Sequence, residues 1–126
     1  MKREIKSPDA PKAIGPYSQA IEIDGFLFTA GQIGIDPSTG EMGQSVEEQA
    51  EQALKNIMNV LKEAGYSPED VVKTTIYLSD INDFPKVNEI YARFFKEPYP
   101  ARSTVAVAAL PKNALVEIDV IARRSK

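Results

Sequence analysis

The 126-residue chain contains neither cysteine nor histidine, and that inventory decides which chemistry is open to it. Thiolate nucleophiles, disulfides and the commonest zinc sites are excluded together, and Ser-His and Cys-His catalysis go with them. Only carboxylates are left to ligate a metal, a set suited to magnesium or calcium, but they are unclustered along the sequence and no metal site is expected. Chemistry must come from Arg, Lys, Glu, Asp, Tyr, Ser, Thr or the backbone. Within that set Glu117 is flanked by Val116, Ile118, Val120 and Ile121. Partial desolvation in such a strand would raise its pKa, although an outward-facing strand carboxylate shows the same alternation. Asp119, two positions on, shares the Glu117 face as partner or bystander. Arg102 reads by type alone as a surface or interface ion pair, and Thr104 shares its strand face. Tyr17 follows Gly15-Pro16, whose restricted backbone holds a loop in one shape; its hydroxyl either meets a ligand or packs in the core. Gly31 either lets a ligand approach the backbone or marks a β-bulge. Phe84 and Asn88 are weaker candidates, adequately explained by packing and helix capping.

The elements that must position these residues are legible from periodicity. Gln19 to Asp24 alternates, Asp24-Gly25 is a favoured hairpin turn, and Phe26 to Gln32 forms the returning strand. Asp36 to Gly40 carries turn chemistry throughout. Ser45 with Glu48 matches a capping box, Ala50, Ala53, Leu54, Ile57, Met58, Leu61 and Ala64 follow at helical spacing, and Gly65 supplies the stop. Val71 to Leu78 is a β-branched strand in which Val72, Thr74, Ile76 and Leu78 alternate against Val71, Lys73, Thr75 and Tyr77. Asp83 and Pro85 start a second helix with a stripe of Val87, Ile90, Tyr91, Phe94 and Phe95, ended by Pro98 and Pro100. Ser103 to Ala109 and Ala114 to Arg123 are the last strands, and a short strand near Ile5 is a further candidate. This order predicts an α+β fold, a two-layer sandwich with both helices on one face of a mixed β-sheet. The other face is then left bare, and its apolar positions need a partner, so an oligomer packed through the sheets is expected.

If the last two strands make a simple hairpin around Lys112, Arg102 lies opposite about residue 122. Glu117 is then about five residues away along the strand, roughly 17 Å. Either the strands are not neighbours or a site joins Arg102 of one subunit to Glu117 of another; the second is favoured.

Length and composition, 43% hydrophobic and 26% charged, fit one domain spanning 1–126 that buries roughly two thirds of its unfolded surface. No apolar run approaches a signal or membrane segment, so a cytoplasmic location is the default and no membrane partner is expected. The formal net charge of −3 gives no broad attraction to phosphate, and no nucleic-acid partner is expected.

Three segments, Ile14-Gly15-Pro16-Tyr17-Ser18-Gln19-Ala20, Gly31-Gln32-Ile33 and Pro100-Ala101-Arg102-Ser103-Thr104-Val105, with Leu110-Pro111 and Val116-Glu117-Ile118, resemble the reactive intermediate deaminase family, also called the YjgF/UK114 family. The resemblance implies a chorismate-mutase-like fold, a homotrimer with its sheets facing a central barrel, and clefts between subunits. It implies hydrolysis of 2-iminopropanoate and 2-iminobutanoate, released by pyridoxal-phosphate enzymes, to 2-oxo acid and ammonium, with no cofactor. Under it Arg102 grips the substrate carboxylate through paired hydrogen bonds and Glu117 serves as general base for water. Tyr17, Gly31, Thr104, Phe84 and Asn88 would line the pocket, with the Gly31 carbonyl accepting from the imine nitrogen. Many relatives carry Cys where this chain has Thr104, so no thiol can take part here. The alternatives are a small-carboxylate-binding or holdase-like trimer without turnover, and a nuclease or translation-inhibitor activity as in some relatives, which the acidic balance disfavours.

Overall fold

The computed structural model describes residues 1–124. Helix α1 (Val46–Ala64) starts where the capping box requires: the Ser45 hydroxyl accepts from the Glu48 amide at 3.0 Å, and the Glu48 carboxylate accepts from the Ser45 amide at 3.2 Å. It stops at Gly65, whose φ of 84° suits a residue without Cβ. The remaining elements are β1 (Arg3–Ile5), β2 (Ala20–Ile23), β3 (Phe26–Thr29), β4 (Gln32–Ile33), β5 (Val71–Leu78), α2 (Phe84–Tyr91), β6 (Ala101–Ala106) and β7 (Val116–Arg123). Together the strands form one mixed sheet in the order β1-β2-β3-β7-β5-β6, with β4 also paired to β7. Only β5 and β6 run parallel, and α2 provides the crossover that a parallel pair needs.

Both helices cover one face, as the sequence order implies. Leu54, Ile57 and Leu61 of α1 and Val87 and Ile90 of α2 share a core with Ile76, Leu78, Val116, Ile118 and Val120 of the sheet. Each such side chain contributes about 1.5–3 kcal/mol on burial. The opposite face is bare. Registers Ile23 with Phe26, Ile21 with Phe28 and Phe28 with Ile121 put these five apolar residues on that face, where Phe28 is 44% and Ile23 36% exposed. Among the described residues no helix is long and apolar enough to cross a membrane.

Four local expectations need correction. The strand expected over Phe26 to Gln32 breaks at Ala30 and Gly31 into β3 and β4, both of which pair with β7. The β5 alternation is shifted by a bulge between Val71 and Lys73, so Val71 is buried and Val72 is 49% exposed. Helix α2 ends at Tyr91, where the amides of Arg93 and Phe94 turn back to the carbonyls three residues earlier, at 3.0 Å each; Phe95 is buried nonetheless. Finally, β6 and β7 are not a hairpin, because β5 lies between them. β7 is occupied on one edge by β5 and on the other by β3 and β4, and β6 pairs with the free edge of β5 instead.

The short β4 is tied to α1 by Asn56, fully buried, whose amide donates to Ile35 O at 2.9 Å and Ile33 O at 3.3 Å. Asn56→Ala removes both bonds; the Ile33 carbonyl keeps the Ile35 amide as donor at 2.8 Å, but the Ile35 carbonyl loses its partner, so the change is expected to cost about 1–3 kcal/mol and lower the thermal midpoint by several degrees. A melt unchanged within a degree would show that the segment is held by other contacts.

Candidate active site

The candidate residues fall into three groups, and the sheet keeps them apart. The first surrounds Arg102. Its register partner on β5 is Thr74, fully buried on the helix face, with its hydroxyl 2.9 Å from the Tyr91 hydroxyl. Arg102 therefore points toward α2, which presents Phe84, Asn88 and Tyr91 at spacings of four and three residues along one helical face. The guanidinium carbon lies 5.2 Å from the Phe84 ring centre and 4.7 Å from that of Tyr91, and Nη1 donates to Asn88 Oδ1 at 2.8 Å. Two aromatic faces and an amide oxygen thus hold the cation without neutralising it. Among the described residues no carboxylate pairs with it. The side chain opens onto a crevice of about 440 Å³ lined also by Tyr91, Ala92, Tyr99 and Pro100. Thr104 shares this face, in register with buried Ile76. Burial pushes the Tyr91 hydroxyl above its ordinary pKa, against the opposing pull of Thr74 and the Arg102 charge.

The second group lies on the bare face. Glu117 is in register with Tyr77 on β5 and Ile33 on β4, and its carboxylate is packed directly over Gly31. A Cβ at Gly31 would overlap Glu117 Oε2 and stand 2.6 Å from Cδ, so only glycine fits beneath this side chain. Gly31 sits at the break between β3 and β4, and the Glu117 carboxylate rests on its backbone. Burial, and then the Asp119 charge, raise the Glu117 pKa. Burial likewise raises that of Asp119, opposed by a hydrogen bond from the Tyr77 hydroxyl at 3.0 Å and by the Lys73 charge.

Tyr17 stands alone. It is 53% exposed on the loop before β2, near the end of the sheet farthest from β6. Gln19 pins that loop, accepting from the Ser7 amide at 2.6 Å and donating to Pro11 O at 2.8 Å. The ring borders a separate crevice of about 600 Å³ with Lys6, Lys12 and Gly15.

Within one chain, then, Arg102 and Glu117 occupy opposite faces two strands apart, while Arg102, Asn88 and Phe84 come together, as do Gly31 and Glu117. Tyr91, read as a core residue, is buried in the core and also presents its ring to Arg102; the sequence reading did not single it out for the site, nor Tyr77, Lys73 or Tyr99. The i, i+4, i+7 spacing of Phe84, Asn88 and Tyr91 was the available signal for the first of these.

Two helices on one face of a mixed sheet, with the other face open, define a chorismate-mutase-like α+β protein. The chain belongs to the endoribonuclease L-PSP family, also known as RidA/YjgF, whose description matches residues 7–124. It is 51% identical over 123 residues to the human 2-iminobutanoate/2-iminopropanoate deaminase, covering 97% of this chain and 90% of that one. It is 54% identical over 123 residues to a RutC family protein of Pyrococcus horikoshii, covering 97% and 98%. Among solved structures, the YjgF gene product of E. coli superposes with a TM-score of 0.93 at 44% identity, covering 98% of this chain and 99% of that one. E. coli TdcF, solved with bound serine, gives the same score, identity and coverage.

Proposed function

We propose that this protein hydrolyses 2-imino acids such as 2-iminopropanoate and 2-iminobutanoate to 2-oxo acids and ammonium, in sites assembled between copies of the chain. The observation that carries the reading is Arg102, clamped between Phe84 and Tyr91 by Asn88 with no carboxylate of its own among the described residues. A planar guanidinium held in this way suits the carboxylate of a small organic acid. The name of the human relative and the serine bound by the E. coli relative support the same substrate class.

Arg102 and Glu117 face opposite ways in one chain, so they act on one substrate only if the bare sheet face of one copy meets the Arg102 edge of another. A homotrimer packed through the apolar band of Ile21, Ile23, Phe26, Phe28 and Ile121 supplies that meeting and removes exposed Phe28 from water. In the reaction water attacks C2 of the imine and gives one proton to Glu117, while the C=N electron pair moves to nitrogen, which takes up a proton from solvent. The Gly31 carbonyl accepts from that nitrogen. Collapse of the tetrahedral adduct forms C=O, the hydroxyl proton passing to solvent, and breaks C–N; Glu117 returns its proton to the departing nitrogen, and ammonia takes a further proton from solvent. Asn88 and Phe84 hold Arg102, Thr104 lies beside it, and Tyr17 closes the pocket from its loop.

A coupled assay tests this. Threonine dehydratase generates the imine, semicarbazide traps it, and the protein should lower the yield of trapped semicarbazone. Glu117→Gln is expected to restore trapping almost to the uncatalysed level while the chain stays folded. Unchanged trapping by the unaltered protein, together with tight carboxylate binding, would indicate a binding module instead. RNA cleavage that survives Arg102→Ala would favour a nuclease, which a net charge of −3 does not attract to phosphate.

A further inference from the structure

The bare face carries a carboxylate that the proposed reaction does not use. Asp119 stands two residues from Glu117 on the same strand and the same face, about 7 Å along it. Its Oδ2 accepts from the Tyr77 hydroxyl at 3.0 Å, and Tyr77 is itself the cross-strand partner of Glu117. On Glu117's other side are Gly31 and β4, with Gln32 and Ile33, which bring no charge, and the helices lie on the opposite face. The charged and titratable groups facing Glu117 are therefore Asp119 on its own strand and Tyr77 on β5; Lys73, farther along β5 opposite Ile121, acts on Asp119.

The geometry points to Asp119 as a positioning residue for Glu117, a fixed negative neighbour that strengthens Glu117 as a base, with Tyr77 holding Asp119 in place. This rests on the reading of Glu117 as the general base. The physical logic is like-charge repulsion. A negative carboxylate on a half-buried surface disfavours a second one nearby, so Glu117 binds a proton more tightly than it would alone. Burial, and then the Asp119 charge, hold the Glu117 carboxyl above the usual carboxylate range. The Tyr77 hydrogen bond matters because it favours the charged form of Asp119, without which Asp119 would exert no repulsion. Gly31 contributes by leaving Glu117 one place to rest.

The test titrates Glu117 itself in the full-length protein, by carbon-13 NMR of labelled side-chain carboxyls, with Glu117→Gln identifying its resonance. In Asp119→Asn the Glu117 midpoint is expected to fall by about one pH unit, the size of a partly screened interaction between unit charges at this separation. In Tyr77→Phe the Asp119 resonance should titrate at higher pH, since the bond favouring its charged form is gone. Arg102 of a second copy is present in every variant and cancels in the differences. An unmoved Glu117 midpoint in Asp119→Asn would overturn the proposal, and an unmoved Asp119 midpoint in Tyr77→Phe would overturn the part given to Tyr77.

Activity provides the second readout. The acid limb of the pH–rate profile for imine hydrolysis should move to lower pH in Asp119→Asn, because a weaker base stays deprotonated further down, while KM is unchanged. If Glu117→Gln keeps full activity, the general-base reading fails even where the titration shift is seen. If Glu117→Gln is inactive but Asp119→Asn titrates like the unaltered protein, only the Asp119 proposal fails.

Discussion

Arg102→Ala is expected to lower kcat/KM for 2-imino acids by about a hundred- to a thousandfold while the protein stays folded. Removing one partner of a desolvated, charge-assisted pair costs about 3–4 kcal/mol, at about 1.4 kcal/mol per tenfold. Loss of structure is not expected, because the side chain is only half-buried and its contacts with Phe84 and Tyr91 lie at the edge of the core. Arg102→Lys should recover part of the activity: it keeps the charge but loses the planar fork and the stacking between two rings. Semicarbazone trapping measures the rate, and a thermal melt with gel filtration checks fold and assembly. Activity within threefold of the unaltered protein in Arg102→Ala would remove the anchor of the proposed function.

Gly31→Ala should produce the second large effect, and by a different route. A methyl group there occupies the space of the Glu117 carboxylate and must push that side chain aside. The colliding atoms belong to a side chain, so the chain can fold with Glu117 displaced. Misplacing a general base costs about 10²- to 10⁴-fold in kcat, and that is the expected loss, with little change in melting temperature. Gly34→Ala provides the contrast. Its Cβ would stand 2.5 Å from the Gln49 Cα and carbonyl oxygen, which are backbone of α1 and cannot step aside. It should lower stability first, and activity only as the fold is lost. An active Gly31→Ala variant would show that Glu117 does not act from the position over Gly31.

Much of the fold was legible because local rules agreed with the tertiary arrangement. The Ser45 box and Gly65 stop bound α1 as read, and β5 spans the eight residues its β-branched run marked out. Where local and tertiary demands differed, the sequence misled. Phe26 to Gln32 looks like one strand, yet it jogs at Gly31 to admit Glu117 from β7, a residue distant in sequence. The last two strands look like a hairpin, but Ala101 to Ala106 pairs with β5 instead, and no local pattern encodes which edge is free.

The candidate site divides in the same way. The amino-acid sequence by itself determined the available chemistry: without His or Cys, it must come from Arg, Lys, Glu, Asp, Tyr, Ser, Thr or the backbone. Its motifs also singled out Arg102, Glu117 and Gly31. Only the tertiary structure decided which residues meet. Side chains alternate across a strand, so register alone sent Arg102 to the helix face beside Asn88, Phe84 and Tyr91, and Glu117 to the bare face beside Tyr77 and Asp119. Register is set by long-range pairing and core burial, which a linear reading of spacing does not contain.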